Sequence, residues 1–423
     1  MVGAAGTPPT EDEAARHAPW PLRLLDVPAL RRAGTPAVPF RQFVLKVHSR
    51  CNLACTYCYI YQGADTSWRA RPTSAASGTM RRTVARIAEH VATHGLRRVQ
   101  VDLHGGEPLL RGPEPLLAIA DLLRSALPSS CAVDLAVQTN GTLLTEQVLA
   151  RLTGAGIHVG LSLDGGTPAL NRRRVDHAGR SSWAAVARAA RLLREHPEAY
   201  SGLLATIDLA GEPEETYTSL VSLGPPFLDL LLPHANWSRP PPGGDGGSVP
   251  YGRWLCRVFD LWWQAAVPGP PVRLFREIVG LLLGRPGTSE SVGLSPVVAV
   301  VVDTDGSIGQ VDSLMAAYHG AMHTGLSVFT DPFDAALDHP GMAARQLGAD
   351  GLSAACRRCS LVKVCGGGNY AHRFSEGSGF LHPSVYCSDL EFLIRHIADR
   401  LAAALPADRT GHSGLNTTAC KSV

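Results

Sequence analysis

Three thiols fall within eight residues at Cys51-Asn52-Leu53-Ala54-Cys55-Thr56-Tyr57-Cys58, spaced C-x3-C-x2-C, just after an apolar, strand-like run from Phe40 to Val47. Three sulfurs cannot pair off as disulfides, and the loop that carries them is too short for ordinary packing. Thiolates at this spacing are soft ligands that suit an iron–sulfur cluster or zinc. Structural zinc wants four protein ligands, and no fourth Cys or His follows nearby. A cubane held by three thiolates leaves one iron open. An open iron can chelate a small molecule and pass it an electron.

The rest of the composition narrows the setting. With 423 residues the chain is long enough for one large domain with an appendage, or for two domains. Hydrophobic residues are 45% and charged residues 18%, an ordinary globular balance. A net charge of +2 gives no basic field for nucleic acid, so none is expected as a partner. Met1-Val2-Gly3-Ala4 runs into Pro8, Glu11 and Glu13 without a signal-peptide pattern, and no run of 18 apolar residues occurs. The expectation is a cytoplasmic protein with no membrane partner. Ten Cys in such a chain point to metal ligation rather than disulfides. Cys131 and Cys256 sit in apolar surroundings and read as small buried hydrophobes; Cys420 is left over in the tail.

From Phe40 onward short apolar strands alternate with helical patterns. Strands are expected at 42–47, 98–103, 132–138, 157–163, 203–208 and 228–232, with helices near 79–94, 113–126, 144–154, 182–195 and 213–222. That alternation predicts an α/β fold with a parallel sheet and right-handed crossovers. Six units are too few for an eight-stranded barrel, so an open, partial (β/α)6 barrel is expected. Its chemistry would lie at the C-terminal strand ends, which puts Cys51–Cys58, Gly105–Glu107 and Asn140–Gly141 on one face. Pro240 to Gly247 reads as a linker or long loop, followed by an aromatic-rich helix over 251–266 whose Trp254, Trp262 and Trp263 pack. The expected organisation is a flexible N-terminal arm over 1–36, the barrel over 37–235, a linker and bridging helices over 236–290, a second cysteine-bearing domain over 291–405 and a flexible tail over 406–423.

Three polar motifs follow the second, third and fourth strands. In His104-Gly105-Gly106-Glu107-Pro108 the glycines let backbone approach a ligand closely, and Glu107 can accept a bond from an ammonium group. Gln138-Thr139-Asn140-Gly141-Thr142 and Ser162-Leu163-Asp164-Gly165 are short polar clusters at the same face. Arg174, with Arg172 and Arg173 beside it, is a candidate for holding a carboxylate.

The three-Cys loop, with Tyr57 just before the last Cys, resembles the radical S-adenosylmethionine (SAM) superfamily. The resemblance implies that Cys51, Cys55 and Cys58 hold a [4Fe–4S] cluster whose open iron takes the amino and carboxylate groups of SAM. Cleavage then gives a hydrogen-abstracting 5′-deoxyadenosyl radical. It further implies SAM contacts from Tyr57, Gly105, Gly106, Glu107, Asn140, Ser162, Asp164 and Arg174.

The second set, Cys356-x2-Cys359-x5-Cys365-Gly366-Gly367-Gly368-Asn369 with a distant Cys387, resembles the SPASM domain, which carries auxiliary [4Fe–4S] clusters. In the family pattern a fourth Cys stands where this chain has Asn369, and an upstream Cys where it has the Gly306–Val311 hairpin. By the resemblance, the nearer auxiliary cluster is lost, and Cys356, Cys359, Cys365 and Cys387 hold the distal one. Four thiolates leave no open iron, which implies electron transfer or structure; zinc on the same four thiolates is the alternative. The whole C-terminal fold is then a SPASM-like iron–sulfur domain.

Val364–Phe374, Gly379-Phe380 and His382–Leu390, with Gln310–Leu314 and Leu232–Trp237, resemble FxsB-type radical SAM/SPASM peptide maturases. That resemblance implies a ribosomal precursor peptide as substrate and a cyclophane crosslink from an aromatic ring carbon to a side-chain Cβ. Asp312 is the expected base, with His372 and Tyr370 as alternatives or packing residues; a reductant such as flavodoxin or ferredoxin is the expected partner and a monomer the expected state. Two alternatives stand beside it. One is a sulfatase-maturase-like enzyme that oxidises Ser or Cys to formylglycine, against which the missing nearer cluster counts. The other is a non-catalytic iron–sulfur or zinc protein that only binds a peptide.

Overall fold

The computed structural model describes residues 9–243 and 248–404. Nine strands run along it: β1 (Gln42–His48), β2 (Arg98–Gly105), β3 (Ala132–Thr139), β4 (His158–Ser162), β5 (Tyr200–Thr206), β6 (Leu228–Leu231), β7 (Ala299–Val302), β8 (Ser307–Gly309) and β9 (His323–Ser327). All nine join one sheet in the order β6-β5-β4-β3-β2-β1-β7-β8-β9. Strands β1 to β6 are parallel throughout, as the alternation predicts. The sheet is open, with β6 and β9 at its two ends.

Burial explains the strands. β7 is buried at all four residues and β1 at most of its seven, the near-continuous apolar run of a parallel strand covered on both faces. The crossover helices are Ser77–His94, Glu114–Ala126, Glu146–Gly154, Trp183–Glu195 and Pro213–Val221. In the first of them Met80, Val84, Ile87 and Val91 recur at three- and four-residue steps and are buried, which is one apolar helix face. That helix stops at Gly95, whose φ of 58° lies in the left-handed region where glycine is favoured.

β7 lies beyond the boundary expected at residue 291, yet it pairs directly with β1 in parallel. The hairpin β7–β8 and strand β9 therefore extend the barrel's own sheet. On the other flank, helix Cys387–Ala404 lies along helix Pro250–Gln264. Their approach is close at Gly252, where an added Cβ would stand 2.8 Å from the Asp389 carbonyl oxygen. The Gly252 N–H donates to Asp389 Oδ1 at 2.8 Å. Trp254 and Trp262 pack as expected, and their indole N–H groups donate to the carbonyls of Gly211 and Pro270.

The expected N-terminal arm is corrected from Thr10 onward. Glu11–His17, Pro19–Leu22 and Val27–Arg32 are helices docked on the C-terminal half of the chain. Thr10 and Glu13 form a reciprocal capping box, Asp26 caps the third helix, and Ala18 and Val27 are buried. Arg31 bonds Asp338, and the Phe380 N–H donates to the Trp20 carbonyl. These helices are too short for hydrophobic periodicity to reveal them. The first eight residues of the arm, residues 244–247 of the linker, and the tail with Cys420 lie outside the described residues. No helix among the described residues is long and apolar enough to cross a membrane.

Candidate active site

The C-terminal ends of β1 to β6 open on a cavity of about 220 Å³, lined by Cys51, Cys55, Cys58, Tyr57, Gly105, Gly106, Asn140, Ser162 and Arg174. The fold thus brings together most of the residues singled out in sequence. The glycines act through close backbone approach. A Cβ at Gly105 would stand 2.1 Å from the His48 carbonyl oxygen, and one at Gly106 2.4 Å from that of Arg50. The N–H groups of Gly106 and Glu107 donate to those same two carbonyls at 2.9 and 3.0 Å. This clamps the start of the cysteine loop against the end of β2.

Glu107 and Asp164 are both engaged by protein donors at the back of the cavity. Glu107 is fully buried, and its carboxylate accepts from Leu109 N–H (3.0 Å), Thr139 Oγ1 (2.7 Å) and Asn140 N–H (2.8 Å). Burial pushes its carboxyl up, and those three donors work against that. It ties β2 to β3 behind the cavity wall. Asp164, also buried, accepts from Tyr57 Oη at 2.5 Å and from the Thr206 N–H at 3.1 Å. It is the counterion of Arg174, whose Nη1 lies 3.6 Å away and donates to Tyr57 Oη at 2.7 Å. Arg174 lines the cavity, and its Nε is buried without a hydrogen-bond partner. An unspent guanidinium N–H in the wall fits a ligand with an anionic or hydroxyl acceptor, as SAM has.

The cysteines also fit a cluster. Burial drives the Cys51 thiol up to about 12 and raises those of Cys55 and Cys58, so all three need a cation to become thiolates. Asn140 Nδ2 donates toward Cys51 Sγ at 3.7 Å and the Leu53 N–H at 3.4 Å, outer bonds that would steady a bound thiolate. Among the described residues, only His90, His94 and Asp334 bring three candidate ligand atoms within 4.8 Å of one another.

The second set converges from three segments: Cys356 and Cys359 near helix Ala354–Arg358, Cys365 ending Val362–Cys365, and Cys387 opening the last helix. Burial raises Cys365 to about 11 and Cys387 to about 12. Arg373 donates to the carbonyls of Gly366, Gly367 and Gly368, which fixes the glycine run beside Cys365. Asn369 Oδ1 instead accepts the Ala371 N–H at 3.0 Å, capping a 3-10 turn. Cys131 and Cys256 are buried, as expected.

Asp312 lies next door, at the head of the turn after β8. It shares a second cavity of about 290 Å³ with Tyr59, His234, Val311, Asn369 and His372. Tyr59 and His234 line both cavities, so they form the partition between them. Loss of hydration pushes the Asp312 carboxyl up, but Lys46, His104, His234 and the Tyr59 hydroxyl outweigh it and hold the group below the usual carboxylate range. Lys46 is a buried cation whose Nζ sits 4.0 Å from Asp312 Oδ2. The β1–β2 register sets Lys46 beside His104. Sequence reasoning missed Lys46, Tyr59, His104 and His234, and offered His372 only as an alternative base. One signal was present: Lys46 is the single lysine of an apolar strand, in a chain with only two others.

His372 Nε2 and His234 Nδ1 lie 3.3 Å apart, with ring centroids 5.4 Å from each other. Burial depresses both, His234 to about 4 and His372 well below its ordinary value. Between about pH 4 and 6.5 the unfolded chain therefore binds more protons at these sites than the folded one. Stability is fully present above about pH 6.5 and is lost as pH falls toward 4. Melting scans are expected to show a flat Tm from pH 7 to 8 and a fall below about 6.5, with a shallower fall in His372→Gln. An equally steep fall in that variant would remove the pair as its source.

A family model described as the radical SAM superfamily matches residues 45–218. The serine-type anaerobic sulfatase-maturating enzyme of Klebsiella aerogenes is 26% identical over 399 residues, covering 91% of this chain and 93% of that one. The cysteine-type enzyme of Clostridium perfringens is 25% identical over 380 residues, covering 86% and 97%. A solved structure of native anSMEcpe with AdoMet and the Cp18Cys peptide superposes with a TM-score of 0.71 at 21% identity, covering 86% of this chain and 98% of that one. Likeness to sulfatase-maturating enzymes across nine tenths of the chain overturns the expected cyclophane crosslink. The physical reason is that both chemistries start by taking hydrogen from a side-chain Cβ, so the shared motifs do not tell them apart. They differ only in where the carbon radical goes next.

Proposed function

Because this chain is a radical SAM enzyme that modifies a peptide, we propose that it oxidises a Ser or Cys side chain of its substrate to formylglycine. Support comes from the curated relatives, whose names specify serine-type and cysteine-type sulfatase maturation. The observation that carries the reading is Asp312, a carboxylate whose neighbours hold it below the usual range, in the cavity across the Tyr59–His234 partition from the cofactor cavity. When bound, the clusters and SAM supply hydrogen-atom abstraction and an acceptor for one electron. The protein's residues do the rest. Gly105, Gly106, Ser162 and Arg174 offer polar contacts along the cofactor cavity, with Tyr57 orienting Arg174 and Asp164 balancing its charge. Asn140 steadies Cys51.

For a seryl substrate, a hydrogen atom leaves Cβ, then one electron and the hydroxyl proton leave, and the aldehyde remains. Asp312 takes that proton, and Lys46 beside it stabilises the ionised form that must be ready beforehand. A crosslink would need an arene next to the carbon radical, whereas aldehyde formation needs only a base within reach. The likeness of residues 364–390 to FxsB-type maturases supports a peptide substrate and nothing narrower. We place the enzyme in the cytoplasm as a monomer fed by flavodoxin or ferredoxin, a setting that suits its unpaired cysteines.

The test is to incubate reconstituted, reduced enzyme and SAM with Ser- and Cys-containing sulfatase-type peptides. An aldehyde trapped by hydroxylamine, with loss of one hydrogen pair from a seryl peptide, is the expected product. SAM cleavage with no aldehyde from either peptide would sink the proposal.

A further inference from the structure

On the outer side of the sheet, away from both cysteine sets, helix Ser77–His94 presents Arg82, Arg86, His90 and His94 at successive four-residue steps, one per turn on a single face. All four side chains reach the same stretch of chain, residues 328–334, just after β9. Arg82 Nε and Arg86 Nε donate to the Val328 carbonyl at 3.0 and 3.1 Å. One turn further, His90 Nδ1 lies 2.6 Å from Asp334 Oδ1, and His94 Nε2 lies 2.9 Å from that same oxygen.

We propose that His90, His94 and Asp334 form a binding site for a divalent transition-metal cation of the zinc class, which fastens the 328–334 segment to the first crossover helix. Two imidazole nitrogens and a carboxylate oxygen lie within 4.8 Å of one another. Ligands around a tetrahedral zinc stand about 3.3 Å apart, so the contacts of His94 and His90 with Asp334 Oδ1, at 2.9 and 2.6 Å, have to open by about 0.4 and about 0.7 Å to admit one. Imidazole with carboxylate is a donor set that zinc accepts, and His-x3-His on one helix face gives the spacing.

The surroundings suit a fixed ligand. His90 is 2% exposed and is walled by Phe40, Phe43 and Phe333, with ring centroids at 5.8, 5.9 and 6.2 Å. Its other nitrogen, Nε2, is buried on the side away from Asp334. His94 and Asp334 are partly open to solvent, with side chains 24% and 39% exposed. That opening leaves room for a water as fourth ligand and a path for the ion to enter. The ligands come from the helix after β1, a central strand, and from the segment after the edge strand β9, so the ion would tie that edge segment to the middle of the sheet's covering.

The test uses the holoenzyme with both clusters reconstituted and washed with a mild chelator, then titrated with Zn2+ alone. Iron is measured beside zinc so that metal captured by cluster cysteines is recognised. One zinc per chain at unchanged iron is expected, with a Tm rise of a few degrees that the chelator reverses. Asp334→Asn and His94→Ala each lose at least tenfold in zinc affinity and lose the Tm rise, while His94→Cys keeps both. His94 is partly exposed and Asp334→Asn preserves shape, so neither change threatens folding. Zinc uptake equal in wild type and both loss variants, or no zinc in the wild type, would overturn the site.

Discussion

Replacing Cys51, Cys55 and Cys58 together with alanine is expected to abolish SAM cleavage and to lower iron from about eight to about four per chain after anaerobic reconstitution. On the proposed ligand sets the effect is total, because only the three thiols would leave an iron open to SAM, the other four cysteines saturating their own cluster. The loss should be specific. The three side chains line a cavity, and the core behind them is built by Leu45, Val101, Leu103 and Val137, which the substitution leaves untouched. Retained SAM cleavage would place the reactive cluster elsewhere. About twelve irons in the wild type would mean a third cluster, and zinc in place of iron would end the radical mechanism.

Asp312→Asn carries the second large effect, and it separates two steps. Asparagine keeps the shape but accepts no proton, so aldehyde formation is expected to fall by about 10²- to 10³-fold, within the usual contribution of a positioned base. SAM cleavage should stay within about twofold, because Asp312 lies beyond the Tyr59–His234 partition from the cofactor cavity. The same change strips buried Lys46 of its counterion, which costs about 3 kcal/mol and should appear as a lower Tm. Lys46→Met in the Asp312→Asn background should recover much of that Tm without recovering activity. With its carboxyl held low, Asp312 is ionised throughout the neutral range. The wild-type rate should therefore show no acid limb from this group above about pH 5. Aldehyde formation at wild-type rate in Asp312→Asn would move the base elsewhere, with His104 the nearest alternative.

Much of the barrel was legible because its signal is local. Each of the six expected parallel strands is present, because a strand buried on both faces must be written as a short continuous apolar run. The cysteine spacing named its own chemistry for a similar reason, since a three-thiolate loop has few other uses. The N-terminal helices left no such trace. Their stability comes from notches in the C-terminal half, and four to seven residues are too few to show a period. The choice between crosslink and aldehyde was hidden for a different reason. The missing nearer-cluster ligands count against aldehyde formation only if that cluster is needed, whereas a four-thiolate cluster on the remaining cysteines would accept an electron for either outcome.

Residue roles at the site divide along the same line. Composition and spacing alone determined the open barrel, the two cysteine sets and the face on which the chemistry lies. The tertiary structure decided which polar groups reach the cavity. Glu107 and Asp164 look like ligand contacts in sequence, yet both carboxylates are taken up by donors from neighbouring strand ends and loops. Lys46, Tyr59, His104, His234 and Asp312 come from five separate segments and have no shared motif. Only the β1–β2 register, and the pairing of β7 on β1 that brings the turn after β8 beside them, assemble one charged cluster. A pattern along the chain records what each segment buries, whereas the ionisation of a side chain depends on charges brought beside it by packing, and these are distant in sequence.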